Sequence, residues 1–220
     1  MKEEIWGKVN FYAVLNRDAN YLIEMSKKGD DFTKTIFARH SIYAFIFSLE
    51  AGINLLIDKY WDNSLKHDFG VKLKEGEQIT KEKILFRASL KEKWKHAPKL
   101  FSKNSTLTRK KFWDKFTEIC RLRDSLVHAK KDTFETKSIL TGEGDKKQVD
   151  DSVTPKYEKT QLPKDPNHWT VEHSIELKTL TEKMFESLKE FTNDDLKLLV
   201  TDEINTSSGY TLTVERGRLK

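Results

Sequence analysis

A long apolar segment in the first third of the chain constrains the fold more than any other feature. Helical periodicity runs from about residue 31 to residue 61, and residues 42–57 are apolar on nearly every side. Such a helix must be covered all round, as the central member of a helical bundle is. The apolar run is sixteen residues long and is interrupted by Glu50, which makes it too short to span a bilayer. The segment therefore predicts an all-α bundle without membrane contact.

The rest of the chain favours the same fold class. Nine glycines and four prolines are few for a β-rich chain. Further helical periodicity covers residues 17–28, 81–95, a stretch that begins near 106, and 170–199.

Two segments depart from this helical pattern. Residues 132–168 have no periodicity, and a connection of that length is an ordered insertion, a lid or a mobile loop. Residues 200–220 form a C-terminal tail with a strand-like stretch at 210–214. We therefore predict one all-α domain over residues 1–220, with a long irregular insertion before its last helix.

Cysteine content and the N-terminal residues indicate the cellular compartment. The single cysteine, Cys120, excludes an intramolecular disulfide and fits a reducing environment. It lies beside the apolar stripe of its helix, so we expect it to pack there rather than act as a nucleophile. The first residues lack an apolar run followed by a cleavage site, so no secretory signal is predicted. The expected location is the cytoplasm.

Positive charge is concentrated between residues 81 and 111. This segment holds eleven Lys and Arg against two acidic residues, whereas the whole chain has a net charge of only +5. Such a field attracts polyanions. Trp94 and Trp113 lie here and can stack on unpaired bases or pack inward, of which we favour packing. The residues predicted to contact RNA are Lys91, Lys95, Arg109, Lys110, Lys111, Lys130 and Lys131.

The segment 121–131 is the strongest clue to function. Arg123 continues the apolar stripe of its helix, where another apolar residue is expected. Its guanidinium stays protonated and carries five donors, so it needs an anion or water, and phosphate fits its fork geometry. His128 can exchange protons near neutrality. Asp124 lies four residues before His128 on the same helical face and could orient the imidazole. The alternative is a buried arginine paired with a carboxylate, beside a surface histidine.

Three further residues are predicted to support this motif. Glu50 and Asn54 interrupt the long apolar helix four residues apart. A buried carboxylate must pair or become protonated, and Arg123 is its predicted partner. Arg121 adds positive charge beside the motif. No spacing of a zinc site and no glycine-rich phosphate loop stands out, so neither a metal nor a cofactor is predicted.

The segment Arg-Asp-Ser-Leu-Val-His resembles the Arg-x(4–6)-His motif of HEPN domains, which are small all-helical modules. In that family a polar residue commonly follows the arginine and a leucine often lies two residues before the histidine. Asp124 and Leu126 occupy those positions here. The resemblance covers about residues 30–131 and a last helix near 170–199.

This resemblance implies a HEPN-type bundle and a metal-independent endoribonuclease. Arg123 would hold the phosphoryl oxygens, His128 would transfer protons, and the products would carry 2′,3′-cyclic phosphates. Members of the family commonly form homodimers in which two motifs meet across a cleft. Many act as prokaryotic toxins or in defence against phage, so an antitoxin or a sensor protein is an expected partner. Two other functions stay open: a non-catalytic helical module that binds nucleic acid or nucleotide, and an interaction protein whose partner covers residues 132–168.

Overall fold

The computed structural model describes residues 5–8, 10–62, 67, 69–101, 103, 105–127, 139–141, 148–150, 155–192, 196, 201–206 and 211–215. The predicted helical character is confirmed, because most of these residues lie in helices. The α-helices are α1 (Phe11–Ser26), α2 (Asp31–Tyr60), α3 (Lys81–Arg87), α4 (Leu90–His96), α5 (Trp113–Val127) and α6 (Val171–Lys189). Short 3-10 helices cover Ala97–Phe101, Leu107–Arg109 and Pro166–His168.

Short strands accompany the helices and are described by their backbone. They are β1 (Ile5–Lys8), β2 (Ile139–Thr141), β3 (Gln148–Asp150), β4 (Thr201–Thr206) and β5 (Thr211–Glu215). β1, β4 and β5 form an antiparallel sheet in that order, and β2 pairs with β3 as a separate hairpin. β5 coincides with the strand-like stretch predicted in the tail, whereas the sequence analysis did not foresee β1 and β4.

Two predicted helices differ in extent from those observed. The segment 81–95 is not one helix, because Ser89 starts a new one: its hydroxyl accepts from the N–H of Glu92 at 3.2 Å, as an N-cap does. The last helix stops at Lys189 rather than continuing to 199. Its final turn tightens, with the N–H of Phe191 donating to the carbonyl of Leu188 at 3.0 Å.

The long apolar helix is the core helix that its sequence predicts. Seven of its large apolar side chains are fully buried: Ile42, Phe45, Ile46, Leu49, Ile53, Leu56 and Ile57. By length and composition alone α2 is also long and apolar enough to cross a membrane. Just over half of its most apolar window is buried within the structure, and the core helix of a soluble protein has the same properties.

The chain divides into two compact units. The first unit takes its described residues from 1–18, 47–108 and 183–220, and the second from 19–46 and 109–182. Helices α1, α2 and α6 each contribute residues to both units.

The first unit is built on a close approach at Gly52 of α2. A Cβ at Gly52 would lie 2.3 Å from the ring of Phe185 and 3.0 Å from that of Tyr12, so only glycine allows these rings to pack there. The two rings contact each other, with centroids 4.6 Å apart, and Trp94 packs on Phe185. The buried Trp94 also donates its indole N–H to the carbonyl of Leu49 at 3.1 Å. These contacts fix α1, α4 and α6 around the end of α2 that belongs to this unit.

The second unit contains part of the predicted insertion in ordered form. Residues 155–170 are held to α5 by the buried carboxylate of Glu118, which accepts the N–H groups of Lys159 and Thr160, each at 2.8 Å. The fully buried Trp169 donates its indole N–H to the carbonyl of Pro163 at 2.7 Å. A carboxylate that accepts several backbone N–H groups is a strong anchor, because charge-assisted hydrogen bonds are stronger than neutral ones.

Candidate functional site

Helix α5 of the second unit carries the predicted motif. Its first part is buried through Trp113, Phe116 and Ile119, and Asp114 in the first turn favours the helix N-terminus. The helix leaves the core as it reaches the motif, because Val127, its last residue, is exposed. The last described residue of α5 is therefore at the surface.

Arg123 lies in the last part of α5 with most of its side chain buried. That side chain is 19% exposed, and its Nη1 donates to the Asp124 carboxylate at 3.2 Å. Asp124 is half-exposed, so the guanidinium is held close to solvent rather than deep in the core. An arginine in this position keeps donors within reach of an anion that approaches from the surface.

Three residues of the predicted site lie outside the described part of the chain. These are His128, Lys130 and Lys131. The orientation of His128 by Asp124 therefore stays a prediction, and the contact observed for Asp124 is with Arg123.

Glu50 and Asn54 lie on α2 in the first unit, whereas Arg123 belongs to the second. The pairing of Glu50 with Arg123 stays a prediction. Both α2 residues line an open cleft of the first unit. The carbonyl oxygen of the Asn54 side chain accepts from the ammonium of Lys93 at 2.8 Å.

Lys93 is a buried charge that the sequence analysis missed. It is 2% exposed, and its ammonium donates to Asn54 and to the carbonyl of Leu85 at 2.7 Å. The signal was present in the sequence, because Lys93 lies three residues after Leu90 and four before Ala97, both buried. This is the same interruption of an apolar stripe that singled out Arg123.

The predicted basic surface carries less free charge than its sequence suggests. Lys81 pairs with Asp58 at 2.7 Å, and Arg87 pairs with Glu77 at 3.0 Å. Among the predicted RNA contacts, Lys95 lies 3.1 Å from the carboxylate of Glu92. In the second unit, which holds the motif, the basic residues with exposed side chains include Arg109, Lys111 and Arg121, while Lys110 is half-buried. Lys91 is half-buried in the first unit.

The two tryptophans of the basic segment and the single cysteine pack inward, as predicted. Trp94 is fully buried, and Trp113 and Cys120 are buried as well. Stacking of Trp94 or Trp113 on bases is therefore not supported by their positions.

The pKa values of two histidines, His96 and His173, are lowered. Burial, with the nearby Lys95 acting in the same direction, lowers the pKa of His96, although Glu92 opposes this. Burial also lowers the pKa of His173, more than the nearby Glu176 raises it. Nδ1 of His173 accepts the N–H of Thr170 at 3.0 Å at the start of α6, as in a capping box. This bond assigns the proton of the neutral ring to Nε2.

Within the part of the chain that the structure describes, no group of three or more His, Cys, Asp and Glu side chains is arranged to hold a metal ion.

Comparison with known proteins adds no relative: no family model matches the chain, and no match is found among curated proteins or solved structures.

Proposed function

We propose that this protein is a metal-independent endoribonuclease of HEPN type, with Arg123 and His128 as its catalytic residues and Asp124 as the group that orients His128. The observation that carries the proposal is the position of Arg123. Its side chain is mostly buried, contacts the half-exposed Asp124, and precedes the histidine of the motif by five residues in the sequence. The proposal also rests on the resemblance of residues 123–128 to the family motif.

The proposed reaction is attack of a ribose 2′-hydroxyl on the adjacent phosphorus. A base removes the 2′-hydroxyl proton, the 2′-oxygen bonds to phosphorus, and the bond from phosphorus to the 5′-oxygen breaks. An acid then protonates the leaving 5′-oxygen, which leaves a 2′,3′-cyclic phosphate and a 5′-hydroxyl. His128 serves as base or acid, and Arg123 stabilises the negative charge that develops on the phosphoryl oxygens. A proton-transfer group in this role contributes about 10²–10⁴ in rate.

A homodimer completes this chemistry, because one imidazole cannot easily act as base and acid in one pass. A two-fold interface at the end of α5 would bring a second His128 to the same phosphate without new sequence. Light scattering at micromolar concentration, with and without RNA, is expected to give the mass of a dimer. A strict monomer under both conditions would contradict this part of the proposal.

Substrate binding is assigned to basic side chains around the motif. Arg109, Lys110, Lys111 and Arg121 share the second unit with Arg123, and Lys91, Lys95, Lys130 and Lys131 extend the predicted set. Contacts with phosphates weaken as salt rises because counterions are released on binding. A role as a cytoplasmic toxin or antiphage effector, with an antitoxin or sensor protein as partner, follows from the resemblance alone.

A non-catalytic module that binds nucleic acid or nucleotide is the second candidate. The contact between Arg123 and Asp124 favours it, because an arginine already held by a carboxylate also suits a structural or anion-binding role.

The test is RNA cleavage in excess EDTA by the wild type, His128→Ala and His40→Ala. His40 is an exposed histidine of α2 and serves as the control. We expect the wild type and His40→Ala to cut RNA and His128→Ala to lose cleavage but keep RNA binding, with circular dichroism confirming that all three fold. Equal cleavage by wild type and His128→Ala, or no cleavage by either, would favour the binding module.

A further inference from the structure

The second unit contains a small pocket that the proposed function does not use. It lies between α5, the segment 160–162 and α6, and it holds about 30 Å³. One water needs about 10–15 Å³ of such space, so the pocket has room for about two or three groups of that size. Its walls include four buried aliphatic side chains, those of Ile119, Leu162, Leu177 and Leu180. Such a cavity suits a short branched hydrocarbon group better than water.

Hydrogen bonds hold one wall of this pocket in place. Thr160 lines the pocket, and both its hydroxyl and its N–H donate to the buried carboxylate of Glu118, at 3.0 Å and 2.8 Å. The carbonyl of Leu162 accepts the N–H of Tyr157 at 2.9 Å. The wall is therefore formed before a ligand arrives, and binding does not have to order this segment.

Two side chains of opposite charge line the same pocket. Lys115 belongs to α5 and Glu176 to α6, and both are exposed. Neither side chain makes a hydrogen bond or an ion pair within the described part of the chain, so the two do not pair with each other either. Each charge is therefore able to bind a group of the opposite sign that a ligand brings to the pocket.

His173 adds a hydrogen-bond donor one helical turn before Glu176. Its ring is half-buried and lines the pocket. Because Nδ1 accepts the N–H of Thr170 at 3.0 Å, the neutral ring carries its proton on Nε2. Burial lowers the pKa of His173, which keeps the ring neutral at pH 7. The ring therefore has Nε2–H as its donor for a ligand.

We propose that this pocket binds a free α-amino acid with a short branched aliphatic side chain. The hydrocarbon enters the aliphatic part of the pocket. The carboxylate accepts from the ammonium of Lys115 and from Nε2–H of His173, and the amino acid's ammonium donates to the carboxylate of Glu176. An α-amino acid carries both charges on one carbon, so it meets both charged side chains at once, whereas a ligand with one charge meets only one. The inference does not rest on the proposed ribonuclease activity.

The test is an NMR titration of the ¹⁵N-labelled full chain with L-valine and three analogues, in the absence of RNA. Isovalerate is valine without its amino group, isobutylamine is valine without its carboxylate, and glycine lacks the side chain. We expect each analogue with one charge to bind about 3–5-fold more weakly than L-valine, as the loss of an exposed ion pair predicts.

Glycine should bind about ten-fold or more weakly than L-valine, because it buries no hydrocarbon. Equal affinities of L-valine and glycine would overturn the proposal. No binding of L-valine at millimolar concentration would overturn it as well, and so would binding of isovalerate or isobutylamine as tightly as L-valine.

Two variants assign the charges. Glu176→Gln should weaken L-valine about 3–5-fold without weakening isovalerate, which has no ammonium for Glu176 to bind. Lys115→Met should weaken both L-valine and isovalerate to the same extent without weakening isobutylamine, which has no carboxylate. Both side chains are exposed, so neither variant should disturb folding. An equal effect of either variant on all three ligands would overturn this assignment.

Matched controls separate the pocket from a general effect of charge. Glu182→Gln removes an exposed carboxylate of α6, and Lys111→Met removes an exposed ammonium just before α5. Neither residue is among the described residues that line the pocket. Both controls should leave the affinity for L-valine unchanged, and losses equal to those of the pocket variants would overturn the proposal. Because no RNA is present, failure here leaves the ribonuclease proposal untouched, and failure of RNA cleavage leaves this proposal untouched.

Discussion

Lys93 of the first unit and Arg123 of the second share one sequence signature and reach different environments. Each interrupts an apolar helical stripe. Lys93 is 2% exposed and has its ammonium held by Asn54 and the carbonyl of Leu85, whereas Arg123 is 19% exposed and contacts the half-exposed Asp124. A charge on an apolar stripe therefore marks either an internal structural bond or a group near the surface. The surroundings of the charge decide which, because the carboxylate that Arg123 contacts is itself half-exposed.

The largest expected difference between Arg123 and Lys93 is in catalysis. Arg123→Ala should lower RNA cleavage in EDTA about 10²–10³-fold, the loss typical for a group that stabilises transition-state charge. The matched control is Arg17→Ala, because Arg17 makes the same contact with its neighbour Asp18 at 3.2 Å on an exposed surface. Arg17→Ala should retain full activity. Cleavage by Arg123→Ala at the control rate would show that Arg123 is structural, as Lys93 is.

The next effect concerns the stability contributed by Lys93. Lys93→Met keeps most of the side-chain volume but leaves the acceptors on Asn54 and Leu85 without this donor. We expect the free energy of unfolding to fall by about 1–3 kcal/mol in all, because two part-buried acceptors lose a hydrogen bond to a charged group. Urea denaturation measures the change. Adding Asn54→Leu to Lys93→Met should recover part of the loss, because it removes one of those acceptors. If the losses of the two single variants simply add in the double variant, the contact between Lys93 and Asn54 is contradicted.

Arg123 should contribute less to stability than Lys93. For Arg123→Ala in urea denaturation, the pair with half-exposed Asp124 accounts for a loss of about 1 kcal/mol or less. A loss of about 3–5 kcal/mol would instead indicate a buried ion pair, as predicted with Glu50, and would remove the contrast with Lys93.

The smallest expected effect is a pH dependence in the second unit. Folding lowers the pKa of His173, mainly by burial, so the unfolded chain binds more protons once the pH falls below the unfolded value of about 6.5. Stability should therefore decrease from about pH 7.5 to about pH 5.5. His173→Gln keeps an acceptor for the N–H of Thr170 and cannot titrate, so it should lose less stability than the wild type over this interval. Identical losses would contradict a role for His173.

The sequence predicts the helices well where one face or all faces are apolar. Residues 42–57 pointed to a helix covered all round, and most of its large apolar side chains are buried, although Phe47 is 38% exposed. The break at Ser89 was missed because its N-cap outweighs continued periodicity. The end of α6 was missed because its final turn tightens after Lys189. β1 could not be foreseen, because its pairing with β4 joins residues about two hundred positions apart, which no local pattern encodes.

The candidate site was only partly predictable for a similar reason. The sequence located Arg123, Asp124 and the polar interruptions Glu50 and Asn54, but not the contacts that each side chain makes. Counting charges within residues 81–111 overestimated the free positive charge, because counter-charges such as Asp58 and Glu77 come from other segments.

The most direct test of the account compares two substrates of one sequence, incubated with the wild-type protein in EDTA. One is ordinary RNA and the other carries 2′-O-methyl groups throughout, which removes the nucleophile but preserves the phosphates. Attack by the 2′-hydroxyl predicts that the RNA is cut, leaving 2′,3′-cyclic phosphate ends, and that the methylated strand stays intact while still binding. Cleavage of both strands, or of neither, would contradict the assignment of Arg123 and His128 to this reaction.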